Sequence, residues 1–388
     1  MSLRTKVCVL GSTGTIGTYT LDLVRSFPEK FQVVSLAAGK NLTKLRDQII
    51  EFRPTHISLQ NAEDAYQIQQ EFPNISVGHG LEGVKQCVDT SGVEVVVVGI
   101  VGFAGLEPAL HAIRAGKKVG LANKEALVTA GSLLQEEIKK SSACVIPVDS
   151  EHNALFQLLA GIPHQDVETL VLTASGGPFL KKPDLDLSTV TPEMATAHPN
   201  WKMGPKISVD SATLLNKGLE LIEAHFLFGF AENQIEVWIH PQSIVHGAIW
   251  LKDHTSLAQL SVPDMRSAIG YALAYPERLI HPIKKLSFSE MARLEFFEPD
   301  VNRFPCLKLA RKALQMGQSH VIALNAANEV AVEAFLNKEI RFTQIPQLIE
   351  STLAAFSGQS IKALGDVFSA DEQTRSLTRK ILNTKFSH

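Results

Sequence analysis

Residues 6–17 of the chain read Lys-Val-Cys-Val-Leu-Gly-Ser-Thr-Gly-Thr-Ile-Gly, and this stretch decides the fold of the N-terminal part. An apolar strand over Lys6 to Leu10 runs directly into three glycines, and a helix is predicted over Thr18 to Phe27. Glycines in such a turn let the backbone approach a pyrophosphate at the N-terminus of the helix. Strand, glycine turn and helix in this order predict a dinucleotide-binding unit. The alternative is a turn that only packs the helix on the strand.

The loop after the second strand indicates which dinucleotide is bound. A strand is predicted over Gln32 to Ala38, and Gly39, Lys40 and Asn41 follow it. Enzymes that use NAD usually place an acidic residue here to bind the ribose 2′-hydroxyl. A cation and an amide suit the 2′-phosphate of NADP instead. We therefore expect NADPH, against the alternative of a solvated lysine in a surface loop.

The alternation of strand and helix continues to about residue 148. Apolar strands are predicted over Thr55 to Leu59, Val93 to Ile100 and Lys118 to Ala122. This alternation predicts a parallel, doubly wound sheet. The last of these strands runs into Asn-Lys-Glu at 123–125. Because ligands of such sheets bind at the carboxyl ends of the strands, we expect ligand contacts there in preference to a simple helix cap.

A further predicted strand, Ala143 to Val148, ends in Asp149, Ser150 and Glu151. Residues two apart in extended chain point the same way, so the two carboxylates can converge. Close carboxylates repel each other unless a proton or a cation lies between them. With Glu220 as a third carboxylate, the all-oxygen ligand set favours Mg²⁺ or Mn²⁺ over zinc. The alternative is that Asp149 only caps the following helix.

The stretch 198–225 combines a predicted loop with a predicted helix. Two prolines and a glycine place residues 198–205 in a loop. A single helix is then predicted, with Asp210 or Ser211 as its N-cap and Gly229 at its end. Its apolar stripe consists of Leu215, Leu219, Ile222 and Phe226. The polar groups at its start suit a phosphate, although a solvated polar face is the plain alternative.

Two more regions complete the pattern. Ser175-Gly-Gly-Pro follows a predicted strand over Thr169 to Ala174, and its amides can form an anion-binding turn. Strands are also predicted over Glu236 to Ile239, Ser243 to Trp250 and Ser256 to Val262. The predicted domains are a dinucleotide-binding domain (1–148), a catalytic domain (149–276) with a lid loop (195–205), a linker (277–305) and a helical domain (306–388).

Composition limits the functional classes. The 388 residues and 42.4 kDa suffice for two or three domains, and 45% hydrophobic with 20% charged residues is typical of a soluble globular protein. The net charge of −3 gives no indication of nucleic-acid or anionic-membrane partners. The four cysteines are scattered and no membrane-spanning run or signal peptide is evident, so we expect a reduced, cytoplasmic protein.

Taken together, these motifs resemble the 1-deoxy-D-xylulose 5-phosphate reductoisomerase family. The matching pieces are Gly-Ser-Thr-Gly-Thr-Ile-Gly (11–17), Asn-Lys-Glu (123–125), Asp-Ser-Glu (149–151), Thr-Ala-Ser-Gly-Gly-Pro-Phe (173–179) and the long stretch from His198 to Glu220. The resemblance covers the whole chain in order. One departure is Thr15, where the family commonly has serine; both residues offer a hydroxyl.

The resemblance implies an α/β protein with an N-terminal doubly wound NADPH-binding domain, a central α/β catalytic domain and a C-terminal α-helical domain, usually in a homodimer. It implies rearrangement and reduction of 1-deoxy-D-xylulose 5-phosphate to 2-C-methyl-D-erythritol 4-phosphate, with Mg²⁺ or Mn²⁺ as the metal. The implied metal ligands are Asp149, Glu151 and Glu220. The implied NADPH contacts are Thr13, Gly14, Thr15, Ile16, Gly39, Lys40, Asn41, Asn123, Glu125 and Gly204.

The same resemblance implies the residues that bind the small phosphorylated sugar substrate. They are Lys124, Ser150, Glu151, Ser175, His198, Trp201, Met203, Ser211, Asn216, Lys217 and Glu220. Lys124, Glu151 and His198 are the implied catalytic residues, and Trp201 and Met203 are expected on the lid.

Two other functions stay open on the sequence. The first is an NADP-dependent dehydrogenase that reduces a phosphorylated or acyl substrate without rearrangement. The second is a regulatory protein that senses NADP without turnover; it would leave Asp149, Glu151 and Glu220 without a task.

Overall fold

The computed structural model describes residues 4–197, 204–280 and 283–386, which form two compact units. The first unit comprises Met1–Ala126, Leu134–Phe156 and Asp264–Lys285, and the second comprises Leu127–Leu133, Gln157–Pro263 and Leu286–His388. No helix among these described residues combines the length and the apolar character needed to cross a bilayer.

The first unit is built on a parallel sheet of seven strands. They are β1 (Thr5–Leu10), β2 (Phe31–Ala37), β3 (His56–Leu59), β4 (Ser76–His79), β5 (Val95–Val98), β6 (Lys118–Leu121) and β7 (Cys144–Pro147), in the order β4-β3-β2-β1-β5-β6-β7. The predicted doubly wound sheet is confirmed. Strand β4 was not predicted, because Ser-Val-Gly-His is short, lies at the edge and has no apolar run.

Helices connect these strands. They are α1 (Thr15–Ser26), α2 (Leu42–Phe52), α3 (Ala62–Glu71), α4 (Gly80–Asp89), α5 (Leu106–Arg114), α6 (Lys124–Lys140) and α7 (Ser150–Leu159). Helix α1 begins at Thr15, three residues earlier than predicted, so the glycine turn continues directly into its first turn. The core of the unit contains Val7, Val9 and Val97 of the central strands, all without exposed surface.

The second unit contains a mixed sheet of four strands. They are β8 (Val167–Ala174), β9 (Ile235–Ile239), β10 (Val245–Leu251) and β11 (Ser256–Leu260), in the order β11-β10-β8-β9. Strands β8 and β9 are parallel, and the other pairs are antiparallel. Part of the predicted linker also joins this sheet: the Phe297 amide donates to the carbonyl of Ile239 at 2.9 Å, and the Ile239 amide donates back at 2.8 Å.

The helices of the remaining chain are α8 (Pro192–Thr196), α9 (Pro205–Ala212), α10 (Leu215–Phe228), α11 (Met265–Ala274), α12 (Cys306–Met316), α13 (Gln318–Leu336), α14 (Gln344–Ala355) and α15 (Leu364–Ile381). Helix α11, which the sequence placed with the catalytic domain, lies in the first unit and packs on α1. Helices α12 to α15 belong to the second unit, together with the four-stranded sheet.

The prediction of one helix from residue 210 to Gly229 was wrong. The chain forms two helices, α9 and α10, which are separated where Leu214 adopts a left-handed conformation with φ of 62°. Asp210 and Ser211 were predicted as the N-cap of the single helix. They lie instead in the last turn of α9. The predicted apolar stripe and the end of α10 at Gly229 are confirmed.

Candidate active site

The glycine turn lies between β1 and α1, at the point where the strand order of the sheet reverses. Thr13, Gly14, Thr15 and Ile16 form its rim, and Gly14 and Thr15 are exposed. The first amides of a helix have no acceptor within the helix, so this turn presents N–H groups that suit a phosphate. The order strand, glycine turn and helix is confirmed. Contact of these four residues with NADPH stays a prediction.

The loop after β2 lies at the surface. Gly39, Lys40 and Asn41 are all exposed, and the ammonium of Lys40 is therefore available to a ligand beside the same sheet edge. The side chain of Asn41 has a second task, because its Oδ1 accepts the backbone N–H of Lys44 at 3.1 Å and caps α2.

Asn123, after β6, has a structural role that the sequence ranked second. Its Oδ1 accepts the N–H of Ala126 at 2.9 Å and caps α6. Its Nδ2 donates to the carbonyls of Ile100 and Gly102, each at 2.6 Å, and this fixes the loop after β5. The predicted contact of Asn123 with NADPH stays a prediction, as does that of half-buried Glu125.

Lys124 and Asp149 meet at the carboxyl ends of the neighbouring strands β6 and β7. Lys124 Nζ lies 2.8 Å from Asp149 Oδ2, and the two side chains are only 10% and 17% exposed. In an ion pair with so little solvent contact, removal of either partner would leave the other charge buried without a countercharge. Beside it, the hydroxyl of Ser150 donates to the carboxylate of Glu151.

His152 is a neighbour that the sequence reasoning missed. Its ring is fully buried, and Nδ1 lies 3.8 Å from the carboxylate of Asp149. The signal was a histidine three residues after an aspartate, where a helical turn brings the two side chains together.

In the second unit, the start of α10 carries Asn216, Lys217 and Glu220. The Nδ2 of Asn216 donates to Glu220 Oε1 at 2.5 Å, which confirms the predicted stacking of residues four apart. The ammonium of Lys217 forms an ion pair with the other carboxylate oxygen, and both side chains are nearly fully buried. A buried carboxylate that is held this way is a charged group with a defined position.

The turn after β8 packs directly against the end of α9. A Cβ on Gly177 would lie 2.9 Å from the carbonyl oxygen of Ser211, so no side chain fits between the two segments. The amide of Gly177 also points at the hydroxyl of Ser175, at 3.4 Å. The turn after β8 therefore lies directly against the backbone of Ser211, and Ser175 is bonded within the turn.

His246 of β10 is a second residue that the sequence reasoning missed, because on an alternating strand it reads as ordinary core. Burial lowers the pKa of His246 to about 4, and the ammonium of Lys217 and the ring of His240 act in the same direction. The ring is therefore neutral near pH 7.

Three of the predicted site residues, His198, Trp201 and Met203, lie outside the described residues, as does most of the predicted lid. Gly204, the first described residue after them, is exposed and forms the N-cap of α9.

The polar groups that follow β1, β2 and β6 line the carboxyl edge of one doubly wound sheet, next to its switch between β1 and β5. Dinucleotides bind at this place in such sheets. The ion pair of Lys124 and Asp149 lies at the same edge and places an ammonium and a carboxylate there. The fold and site thus define a class, the dinucleotide-dependent α/β enzymes.

Comparison with known proteins identifies the family. Models of 1-deoxy-D-xylulose 5-phosphate reductoisomerase match residues 7–131, and models of its C-terminal domains match residues 145–228 and 260–377. The chain belongs to the 1-deoxy-D-xylulose 5-phosphate reductoisomerase family. A reductoisomerase from Chlorobium limicola is 47% identical over 376 residues, which covers 96% of this chain and 98% of that protein. The enzyme from Chlorobaculum tepidum is 47% identical over 378 residues, with the same coverage.

Solved structures agree with the α/β architecture. The reductoisomerase from Zymomonas mobilis in complex with NADPH is 37% identical, with a TM-score of 0.93 over 98% of this chain and 100% of that chain. A second reductoisomerase, in complex with NADPH, fosmidomycin and magnesium, is 38% identical with a TM-score of 0.92 and the same coverage.

Proposed function

We propose that the protein catalyses the NADPH- and divalent-metal-dependent rearrangement and reduction of 1-deoxy-D-xylulose 5-phosphate to 2-C-methyl-D-erythritol 4-phosphate. Family membership supports the reaction, and one structural observation supports its chemistry. Two ion pairs each join a carboxylate that is predicted to bind metal to a lysine that is predicted to bind substrate. They are Asp149 with Lys124 and Glu220 with Lys217.

NADPH supplies the hydride for the reduction. The exposed rim of the glycine turn offers amides to the pyrophosphate, and Lys40 offers an ammonium to the 2′-phosphate. Relatives of this chain are described in complex with NADPH, which is in keeping with both assignments.

A divalent ion, Mg²⁺ or Mn²⁺, polarises the carbonyl and hydroxyl oxygens of the substrate when it is bound. We infer that Asp149, Glu151 and Glu220 are its ligands. Carboxylate oxygens are the donors that these hard ions prefer. At Asp149 and Glu220 an ammonium provides the countercharge. A bound divalent cation would take over that role and would leave both lysines to the substrate. A relative is described in complex with magnesium.

Each lysine then has a distinct task in the proposed reaction. Lys124 stabilises negative charge on the substrate oxygen where the carbon–carbon bond breaks and re-forms. Lys217 binds the phosphate together with Ser175, Ser211 and Asn216, and this remote binding holds the reacting end in place. Glu151 accepts the proton of a substrate hydroxyl. His198 assists at the phosphate, and Trp201 and Met203 close over the substrate and exclude water.

We further propose that the enzyme is a homodimer that forms along β11. This strand pairs with β10 alone within the described parts of the chain, so one edge of the sheet is open. Open edges with apolar side chains favour pairing with another chain. Leu257 on β11 is 43% exposed and Trp250 on β10 is 40% exposed.

The four free cysteines also support a reducing compartment, such as the cytoplasm.

The dehydrogenase without rearrangement is the weaker candidate for an acyl substrate, because semialdehyde dehydrogenases need a cysteine nucleophile. Burial raises the pKa of Cys144, and it raises that of Cys306 to about 12, so neither thiol ionises readily at neutral pH. The regulatory alternative has no use for the paired lysines and carboxylates.

One experiment tests the proposal. The full chain is mixed with NADPH, Mn²⁺ and 1-deoxy-D-xylulose 5-phosphate, and the NADPH absorbance is followed. We expect a steady decrease that stops when a chelator is added and resumes with Mg²⁺. A decrease that ignores the chelator would support a plain dehydrogenase, and binding of NADPH without any decrease would support a sensor.

A further inference from the structure

Helix α2 holds the glycine turn from behind through two side chains one helical turn apart. The ammonium of Lys44 donates to the carbonyl of Thr13 at 3.0 Å. The amide of Gln48 donates to the carbonyl of Ser12 at 2.9 Å, and Gln48 is 6% exposed. Both contacts lie within the first unit. Neither residue belongs to any motif of the sequence.

These two contacts orient the amides of the turn. In a trans peptide the carbonyl and the next N–H point in opposite directions. When Gln48 holds the carbonyl of Ser12, the N–H of Thr13 must point away from α2. When Lys44 holds the carbonyl of Thr13, the N–H of Gly14 must also point away, and it donates to Gly11 at 3.0 Å. The carbonyls of Ser12 and Thr13 are therefore held toward α2, and the amide of Thr13 points to the opposite side.

Lys44 also joins this turn to the loop after β2. Its backbone N–H donates to Asn41 Oδ1 at 3.1 Å. Its ammonium makes a second hydrogen bond, at 2.6 Å, to the hydroxyl of Thr18, which in turn donates to the carbonyl of Gly14 at 2.7 Å. One residue thus connects the loop assigned to the 2′-phosphate with the turn assigned to the pyrophosphate.

We propose that Lys44 and Gln48 are positioning residues for the dinucleotide, which act by orienting the glycine turn and touch no part of the 2′-phosphate. The proposal rests on the proposed binding of NADPH. It separates two roles for lysine at this site. Lys40 distinguishes NADPH from NADH, whereas Lys44 supports the pyrophosphate that the two cofactors share.

The test is a fluorescence titration of the full chain with NADPH and with NADH, without substrate or metal. We expect Lys44→Met to weaken the binding of NADPH and of NADH by the same factor, about tenfold, since one charge-assisted hydrogen bond is lost at the turn. Gln48→Met, which removes only the amide, is expected to weaken both cofactors by a few-fold. Lys40→Met is expected to weaken the binding of NADPH and to leave the binding of NADH unchanged. Lys44→Arg keeps the charge and the donors and should restore most of the affinity.

The control is Lys85→Met. Lys85 lies on α4 of the same unit, and its substitution should change neither affinity. A loss at Lys44→Met that is confined to NADPH would overturn the proposal, because it would assign Lys44 to the 2′-phosphate. Unchanged binding in both Lys44→Met and Gln48→Met, with melting temperatures near that of the wild type, would overturn it as well. Failure of the wild type to bind NADPH would instead reject the cofactor assignment itself.

Discussion

Glu220 illustrates how a single carboxylate can serve both stability and chemistry. It is buried, and Asn216 and Lys217 hold its two oxygens. Glu220→Gln keeps the shape but removes the negative charge that a divalent ion requires. We expect turnover at saturating Mg²⁺ to fall by about 100-fold or more, since a proposed ligand of the metal is lost.

The matched control for this prediction is Glu350→Gln on α14, where the side chain is exposed. Steady-state rates as a function of Mg²⁺ concentration give the measurement. Near-normal turnover of Glu220→Gln would remove Glu220 from the metal site and leave it as the partner of Lys217 only.

His246 makes a prediction about acid stability. Its pKa falls from the usual 6.5 to about 4 on folding, mainly because the ring is buried. The unfolded chain therefore binds the proton first as the pH falls. Above about pH 6.5 His246 is neutral in both states and does not reduce the free energy of unfolding. As the pH falls from 6.5 toward 4, protonation of the unfolded chain lowers the free energy of unfolding by about 3 kcal/mol in total.

Urea unfolding of the wild type and of His246→Gln at several pH values measures this effect. The wild type should lose more free energy of unfolding across that window than the variant, which has no ring to protonate. Equal pH dependence in the two proteins would show that His246 does not titrate as its burial implies.

At the scale of elements, Gly218 sets the distance between α10 and α12. A Cβ on Gly218 would lie 2.5 Å from the Cβ of Ala310, so only glycine fits. Alanine is the better helix former by about 1 kcal/mol, but the clash outweighs this gain. We expect Gly218→Ala to destabilise the protein by about 1–3 kcal/mol, the usual cost of overpacking.

Thermal and urea unfolding check this prediction. The second substitution Ala310→Gly removes the clashing methyl group and should recover much of the loss. Gly365→Ala is the control, since a Cβ on this glycine of α15 would meet nothing within 4 Å. A destabilisation of the same size at Gly365 would show that the close approach of α12 is not the cause.

The elements that the sequence predicted well are those whose signals are local. Strand β1, the glycine turn and the alternation that follows depend on runs of a few residues and on their spacing. The break between α9 and α10 was missed because it depends on Leu214, a residue type that rarely adopts positive φ and that carries no turn signal. Leu214 is buried in the folded protein, and no local pattern encodes its conformation.

The candidate site divides in the same way. Asn216 and Glu220 were predicted to stack because four residues on a helix fix their geometry. The contacts of Lys44 and Gln48 with the glycine turn join residues 31 and 36 positions apart, and the sequence alone gave no reason to pair them. His246 was missed for a related reason, since its proximity to Lys217 depends on how β10 meets α10.

At the scale of the whole molecule, the open edge of β11 predicts the oligomeric state. A second copy that pairs along this edge would cover Leu257 and would supply hydrogen-bond partners on the side of β11 that no other described strand occupies. We expect the wild type to behave as a dimer at micromolar concentration in sedimentation or light-scattering measurements. Leu257→Lys places a charge in the proposed interface, where burial without a partner is costly, and should shift the protein toward the monomer.

Ile280→Lys provides the comparison, because Ile280 is 93% exposed and belongs to the first unit, whereas β11 belongs to the second. This variant should remain a dimer, so that loss of association follows the position of the charge and not the charge itself. A monomeric wild type, or a Leu257→Lys variant that stays dimeric, would reject the β11 edge as the interface. If Leu257→Lys is monomeric and keeps its melting temperature and its affinity for NADPH, then pairing of the two copies is separable from the folding of each.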